Sequence, residues 1–306
     1  MIRAQALLGA RIGFVALTIG FAWWGFDGRW TEIGDAAVAT GSVRLCLAAL
    51  CATVGLVLTG LLWCRLLAAL GSPVGLRDAG AVFFVGQLGK YVPGSVWSFA
   101  VQAQLGRRHG VPARSSVTAS ALFLVLHTFG GLVLGGVLAA GGAVQTDVAR
   151  WWWLVLASCS AVALAPVALR ALGDRLAGSG VRTRFDLGDL ARALALMAGV
   201  WACYGACLWL LLPQAQPTPA DMMTTIAAFA LAHAAGVLLI LAPAGLGARE
   251  AVLIALLSPV VGVPGAAAAA LLARVAHSVG DFVLAAGAAA WARRGRTREA
   301  AGVGNA

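Results

Sequence analysis

Apolar runs of about twenty residues recur along nearly the whole chain, separated by short connections rich in arginine. A helix of that length matches the roughly 30 Å hydrocarbon core of a bilayer. Inside that core every backbone N–H and C=O must be bonded within the protein. The pattern therefore predicts an all-α polytopic membrane protein, a single integral domain over 1–306. With 61% hydrophobic and 11% charged residues, against roughly 25% charged in a soluble domain, no segment has the composition of a soluble catalytic domain. Any activity sits in or at the bilayer.

The net charge of +10 does not point to nucleic acid, because the arginines fall in short clusters without interleaved aromatic residues for base stacking. No metal or cofactor is expected either. Of the six cysteines only Cys203 and Cys207 approach a motif, and that spacing reads as small core packing without the second pair a zinc site needs.

Six full spans are expected, at about Ile12 to Phe26, Leu45 to Trp63, Val117 to Val144, Trp151 to Leu169, Ala193 to Leu212, and Pro264 to near Trp291. Cleavage of the first as a signal peptide at Ala37-Val38-Ala39 is the alternative. The tryptophans at 151, 152 and 153 read as an interface anchor. The polar stretch from Arg170 to Arg192 reads as a loop with a surface helix.

Two stretches break the pattern. From Ala79 to Leu105 two short apolar pieces flank Pro93-Gly94; Met222 to Ala242 and a short piece through about Ser258 flank Pro243-Ala244-Gly245. Proline removes a donor and glycine permits unusual φ, so each stretch reads as a helix-break-helix, re-entrant hairpin with Pro93, Gly94, Pro243, Gly245 and Gly247 as hinges. Two full crossings per pair would give the same parity. Either way the arginine-rich loops at 65–77, 107–114, 170–192 and 293–298 fall on one side with both termini. By the positive-inside rule that side is the cytoplasmic face of the plasma membrane.

A shift of 150 residues places Pro93 on Pro243, His127 on His277, and HTFGGLVL (127–134) on HSVGDFVL (277–284). Units 79–144 and 222–292 would then form an inverted repeat, the arrangement transporters build around a midplane site. Compositional similarity between two broken pairs is the competing explanation.

Lys90, the only lysine, and Arg249, Glu250, Arg274 and Asp281 all fall in segments read as embedded. At roughly 2.5 to 3.5 kcal/mol each on an insertion scale, five such charges facing lipid would cost on the order of 12 to 17 kcal/mol, as much as a whole domain's roughly 5 to 15 of stability. They must be paired, hydrated or near an interface. Arg274, His277 and Asp281, at i, i+3 and i+7, share one helix face, as do Ser116, Ser120, His127 and Gly131 in the earlier span. His233 reads as a packing residue. Arg249 and Glu250 read equally as groups neutralising other charges or as ligand contacts, and Arg274 with Asp281 as a structural bridge or ligand contacts. Lys90 has no acidic neighbour in its own hairpin, and an ammonium beside a broken helix suits a phosphate; snorkelling to the interface is the alternative.

GKYVPGSVW (89–97) with the following RRHGVP (107–112), and PAGLGAREA (243–251) with Arg274 downstream, resemble the flippase-like membrane region of the lysylphosphatidylglycerol synthase family. The resemblance runs from the second span onward. It implies lipid handling, with Lys90, Tyr91, Pro93 and Gly94 in the first motif and Pro243, Gly245, Gly247, Arg249 and Glu250 in the second. The sequence ends at Ala306 without a soluble domain, so lysyl transfer is not expected.

These readings converge on a non-enzymatic transporter for the head group of an anionic phospholipid or a polyprenyl-phosphate-linked lipid, such as a lipid-linked sugar. Lys90, Tyr91, Arg249 and Arg274 would contact the phosphate, while Glu250, Asp281, His127 and His277 balance charge or relay a proton. The alternative is a non-catalytic subunit docking a glycosyltransferase or lipid synthase through GGLVLGG (130–136). A lipid-phosphate hydrolase using His277 is less favoured, because the usual phosphatase motifs are missing. A homo-oligomer stays open.

Overall fold

A computed structural model describes residues 31, 35, 38–91, 97–178, 183–213, 218–238 and 247–303, with side chains as far as 294. The expected first span and the breaks at Pro93, Gly94, Pro243 and Gly245 lie outside the described residues. The elements are α1 (Ser42–Ala69), α2 (Leu76–Gln87), a 3-10 turn (Leu88–Tyr91), α3 (Trp97–Arg107), α4 (Ala113–Ala140), α5 (Arg150–Ala163), α6 (Pro166–Ala177), α7 (Leu187–Leu210), α8 (Pro219–Leu238) and α9 (Ala248–Val303). No strand occurs among the described residues. Five of the helices are long and apolar enough to cross a bilayer, or six if α5 and α6 count as one bent span.

Side-chain chemistry fixes the ends of these helices. Asp186 accepts from the Asp189 N–H and Asp189 from the Asp186 N–H, a reciprocal cap that starts α7. Thr218 and Asp221 cap α8 in a similar way. In α9 the stretch between Pro259 and Pro264 turns through Gly262 at φ 73, a left-handed conformation that costs glycine little. Pro264 also lacks the N–H that would continue the helix straight. α9 is thus a short leg, 248–261, followed by a full span.

The first hairpin is re-entrant. At 12 and 11 residues, α2 and α3 reach only about 18 and 16 Å at 1.5 Å per residue, well short of the core. Their outer ends meet, where His109 Nδ1 lies 3.5 Å from Asp78 Oδ2, so the chain returns to the end it left. The legs touch through glycines: a Cβ on Gly89 would fall 2.6 Å from the Ser98 backbone nitrogen, and one on Gly86 2.2 Å from Gln102 Cγ. A buried chain of hydrogen bonds holds the hairpin to α1 and α4. Trp63 Nε1 donates to Ser120 Oγ at 3.0 Å, and Ser120 Oγ donates to Gln102 Oε1.

α8, expected over Met222 to Ala242 as the first piece of the second broken pair, has 20 residues and is long enough to cross; the short piece is 248–261. One expectation needs correcting. The straight span from Trp151 to Leu169 is instead α5 and α6, bent by 50°, because Pro166 cannot continue α5. The pair still crosses: its start lies where Arg150 meets Gly142 beyond the end of α4, and its finish where Gly178 meets Arg114 at the start of α4. The surface helix expected within 170–192 is the end of α6. Exposed Trp151 and Trp152 stack on each other at 3.9 Å.

Contacts sort the loops between two ends. At one end Arg184 N–H bonds Ala69 O, His109 meets Asp78 and Ala288 lies against Gly80; this end gathers the arginine-rich connections. At the other, Arg44 donates to Leu212 O, Thr224 to Ala143 O, and Gly265 packs on Pro213. The second hairpin has both feet here, so the two hairpins open to opposite ends. Trp63, Trp201, Phe83 and Phe229 fill the interior between them.

Candidate functional site

The outer half of α9 carries the partners of both hairpins. Lys90 on the 3-10 turn reaches Asp281 Oδ2 at 2.5 Å, with the Lys90 side chain 33% exposed and that of Asp281 3%. Tyr91 donates its hydroxyl to the same oxygen at 2.7 Å, lies 3.1 Å from Ser278 Oγ and stacks on Phe282. Two turns earlier on α9, Arg274 binds Glu250 Oε1. The other oxygen, Oε2, accepts the Gly247 N–H at 2.8 Å, at a glycine whose φ of 88 favours that residue. One helical stripe therefore ties the first motif to the second.

Lys90 is not a free cation; Asp281 neutralises it from across the bundle. Arg274 pairs with Glu250, which corrects the bridge to Asp281 expected as one reading. Arg249 lies over Phe229, 4.4 Å from the ring centroid. Its buried Nη2 has no hydrogen-bond partner, and it forms no ion pair among the described residues.

The histidines form an inner layer. His277, between Arg274 and Asp281, sets Nδ1 2.7 Å from Ala273 O. A carbonyl only accepts, so Nδ1 carries the proton and Nε2, which has no partner, faces inward as an acceptor when the ring is neutral. The ring packs on Tyr204 at 4.6 Å and Phe229 at 5.0 Å. His127 lies away from the charged stripe, 4.3 Å from His233 and 4.6 Å from Trp201. His233 packs on Trp201 as well, at 5.4 Å. His127 Nε2, His233 Nε2 and Trp201 Nε1 are all buried and unpartnered. Tyr204 contacts both His127 and His277, so α7 stands between the two residues that the 150-residue shift superposes.

Trp201, Tyr204, Phe229 and Ser278 escape the sequence reading, because an aromatic or serine in an apolar run carries no signal of its depth. The glycines at 131, 135 and 136 sit against Trp201, Leu231 and the Trp153–Ala157 turn. GGLVLGG thus packs α4 against neighbouring helices of the chain. Cys207 is buried as core packing, and no group of metal-ligating side chains occurs among the described residues.

The model of the lysylphosphatidylglycerol synthase TM region matches residues 10–285. The chain belongs to that family. It is a multi-pass membrane protein with a lipid-related transmembrane domain, and the family's match encloses both hairpins and the whole charged stripe of α9. Among curated proteins no relative matches this lysylphosphatidylglycerol synthase family member.

Proposed function

We propose that the chain is a transporter, not an enzyme, that moves the phosphate-bearing head group of an anionic or polyprenyl-phosphate-linked lipid between leaflets. Its arginine-rich end and termini would face the cytoplasm at the plasma membrane. The observation that carries this reading is the pair of ion bridges, Lys90–Asp281 and Arg274–Glu250, joining one α9 face to two hairpins that open to opposite ends. Intramembrane charges of this kind mark polar pathways. A broken helix is tolerated at membrane depth where it lines such a pathway. In the first bridge the cation is the exposed member and the carboxylate the buried one. An arriving phosphate can therefore exchange with Asp281 for Lys90 without the cation leaving water or anion at any stage.

Purified chain in liposomes with head-group-labelled lipids tests the reading. Movement above protein-free liposomes is expected for at least one anionic envelope lipid and is expected to fall with Lys90→Gln. No movement of any such lipid would overturn it. Full function in Lys90→Gln together with a co-purifying synthase would favour the docking-subunit alternative.

A further inference from the structure

Five formal charges lie within the bundle interior among the described residues, and four cancel in pairs: Lys90 with Asp281, Arg274 with Glu250. Arg249 is left over. Both Glu250 oxygens are committed, one to Arg274 and the other to the Gly247 N–H, so the neighbouring carboxylate is not available to it. Its Nη2 is buried without a hydrogen bond, and its guanidinium is stacked on Phe229. A half-buried cation whose Nη2 is cut off from water and has no counter-ion is costly to hold, and a guanidinium bonds phosphate oxygens in a planar, directional way.

We infer that Arg249 is the anion receptor of this site and that the site selects a lipid phosphodiester carrying one negative charge and no amine. The inference rests on the transport reading above and adds the class of head group. One phosphodiester brings the interior to neutrality. A lipid diphosphate leaves one or more uncompensated negative charges in a low dielectric. A zwitterionic head group brings its own ammonium and restores the surplus. The buried nitrogens without partners at His233 Nε2, His127 Nε2 and Trp201 Nε1 can donate hydrogen bonds without adding formal charge, and His277 Nε2 can accept one from a head-group hydroxyl. Arg249 and His277 both pack on the Phe229 ring, at 4.4 and 5.0 Å, which places the receptor beside the stripe that holds the two ion pairs.

The test is equilibrium binding to the full chain in nanodiscs, near pH 8, of phosphatidylglycerol, phosphatidylethanolamine and a polyprenyl diphosphate. Phosphatidylglycerol is expected to bind about tenfold or more tightly than either of the others. Arg249→Gln is expected to remove that preference and Arg249→Lys to restore part of it, which separates charge from folding. Glu250→Gln, which frees Arg274, is expected to shift the preference toward the diphosphate. Wild-type preference for the diphosphate or the zwitterion overturns the inference, as does Arg249→Gln with unchanged selectivity. Charge-selective binding without movement in liposomes would sink the transport reading and leave this one standing; movement without charge selectivity would do the reverse.

Discussion

At Lys90 and Asp281 the two members of one ion pair differ tenfold in exposure, and that difference predicts an asymmetry. Removing Lys90 strands a carboxylate in the interior with the Tyr91 hydroxyl still donating to it; removing the charge of Asp281 leaves an ammonium that can hydrate. Breaking a buried pair typically costs about 3 to 5 kcal/mol. Lys90→Gln should approach the lower figure, because the Tyr91 hydroxyl still donates, and Asp281→Asn should cost clearly less. Unfolding of both single variants and the double variant measures this, and equal losses would contradict the exposure argument. That this region is charged was legible in the sequence; who pairs with whom was not. Arg274 and Asp281 share a face, which invited a local bridge, whereas Arg274 meets a residue 24 positions away and Tyr91 one 190 positions away. Pairing across such distances follows from how hairpins dock, which no spacing rule encodes.

The elements that do this docking rely on close backbone approach. A Cβ on Gly89 would sit against the Ser98 backbone, and one on Gly205 within 2.8 Å of Ile226 Cα; backbone cannot swing aside as a flexible side chain can. Gly89→Ala and Gly205→Ala are therefore expected to cost about 1 to 3 kcal/mol each through overpacking, read as a lower melting midpoint in detergent. Gly287→Ala, with open space around it, should leave the midpoint unchanged and serves as the control. Helix lengths and the short α2–α3 legs could be read from hydropathy and the Pro-Gly break. The bend between α5 and α6 could have been read from Pro166, but the apolar run continues across it and masks the break. α8 was legible from hydropathy as well: the apolar run from Met222 before Pro243 is 20 residues of continuous helix, Pro219–Leu238.

For the whole molecule, the two ends differ in composition as the loops alone predict, because arginine crowds one and is sparse at the other. If the arginine-rich end is cytoplasmic, a membrane-impermeant thiol reagent applied to intact cells should label Thr146→Cys and spare Ser72→Cys in a cysteine-free background; the opposite pattern would invert the topology. α9 adds a mechanical constraint to this picture. It grips the first hairpin through Asp281 and the second through Arg274, two turns apart on a helix that cannot stretch. Under the transport reading proposed above, the helix would work as an interlock between two doors on opposite walls: a slide along its axis that loosens one hairpin would draw the other shut, so that both leaflets would not open at once. Gly80 and Ala288 offer a way to jam it, since a Cβ on Gly80 would lie 4.0 Å from that of Ala288, within the range a disulfide spans. Oxidising a Gly80→Cys/Ala288→Cys pair should stop lipid movement in both directions and reduction should restart it; an undiminished rate in the oxidised protein would show that the doors move independently.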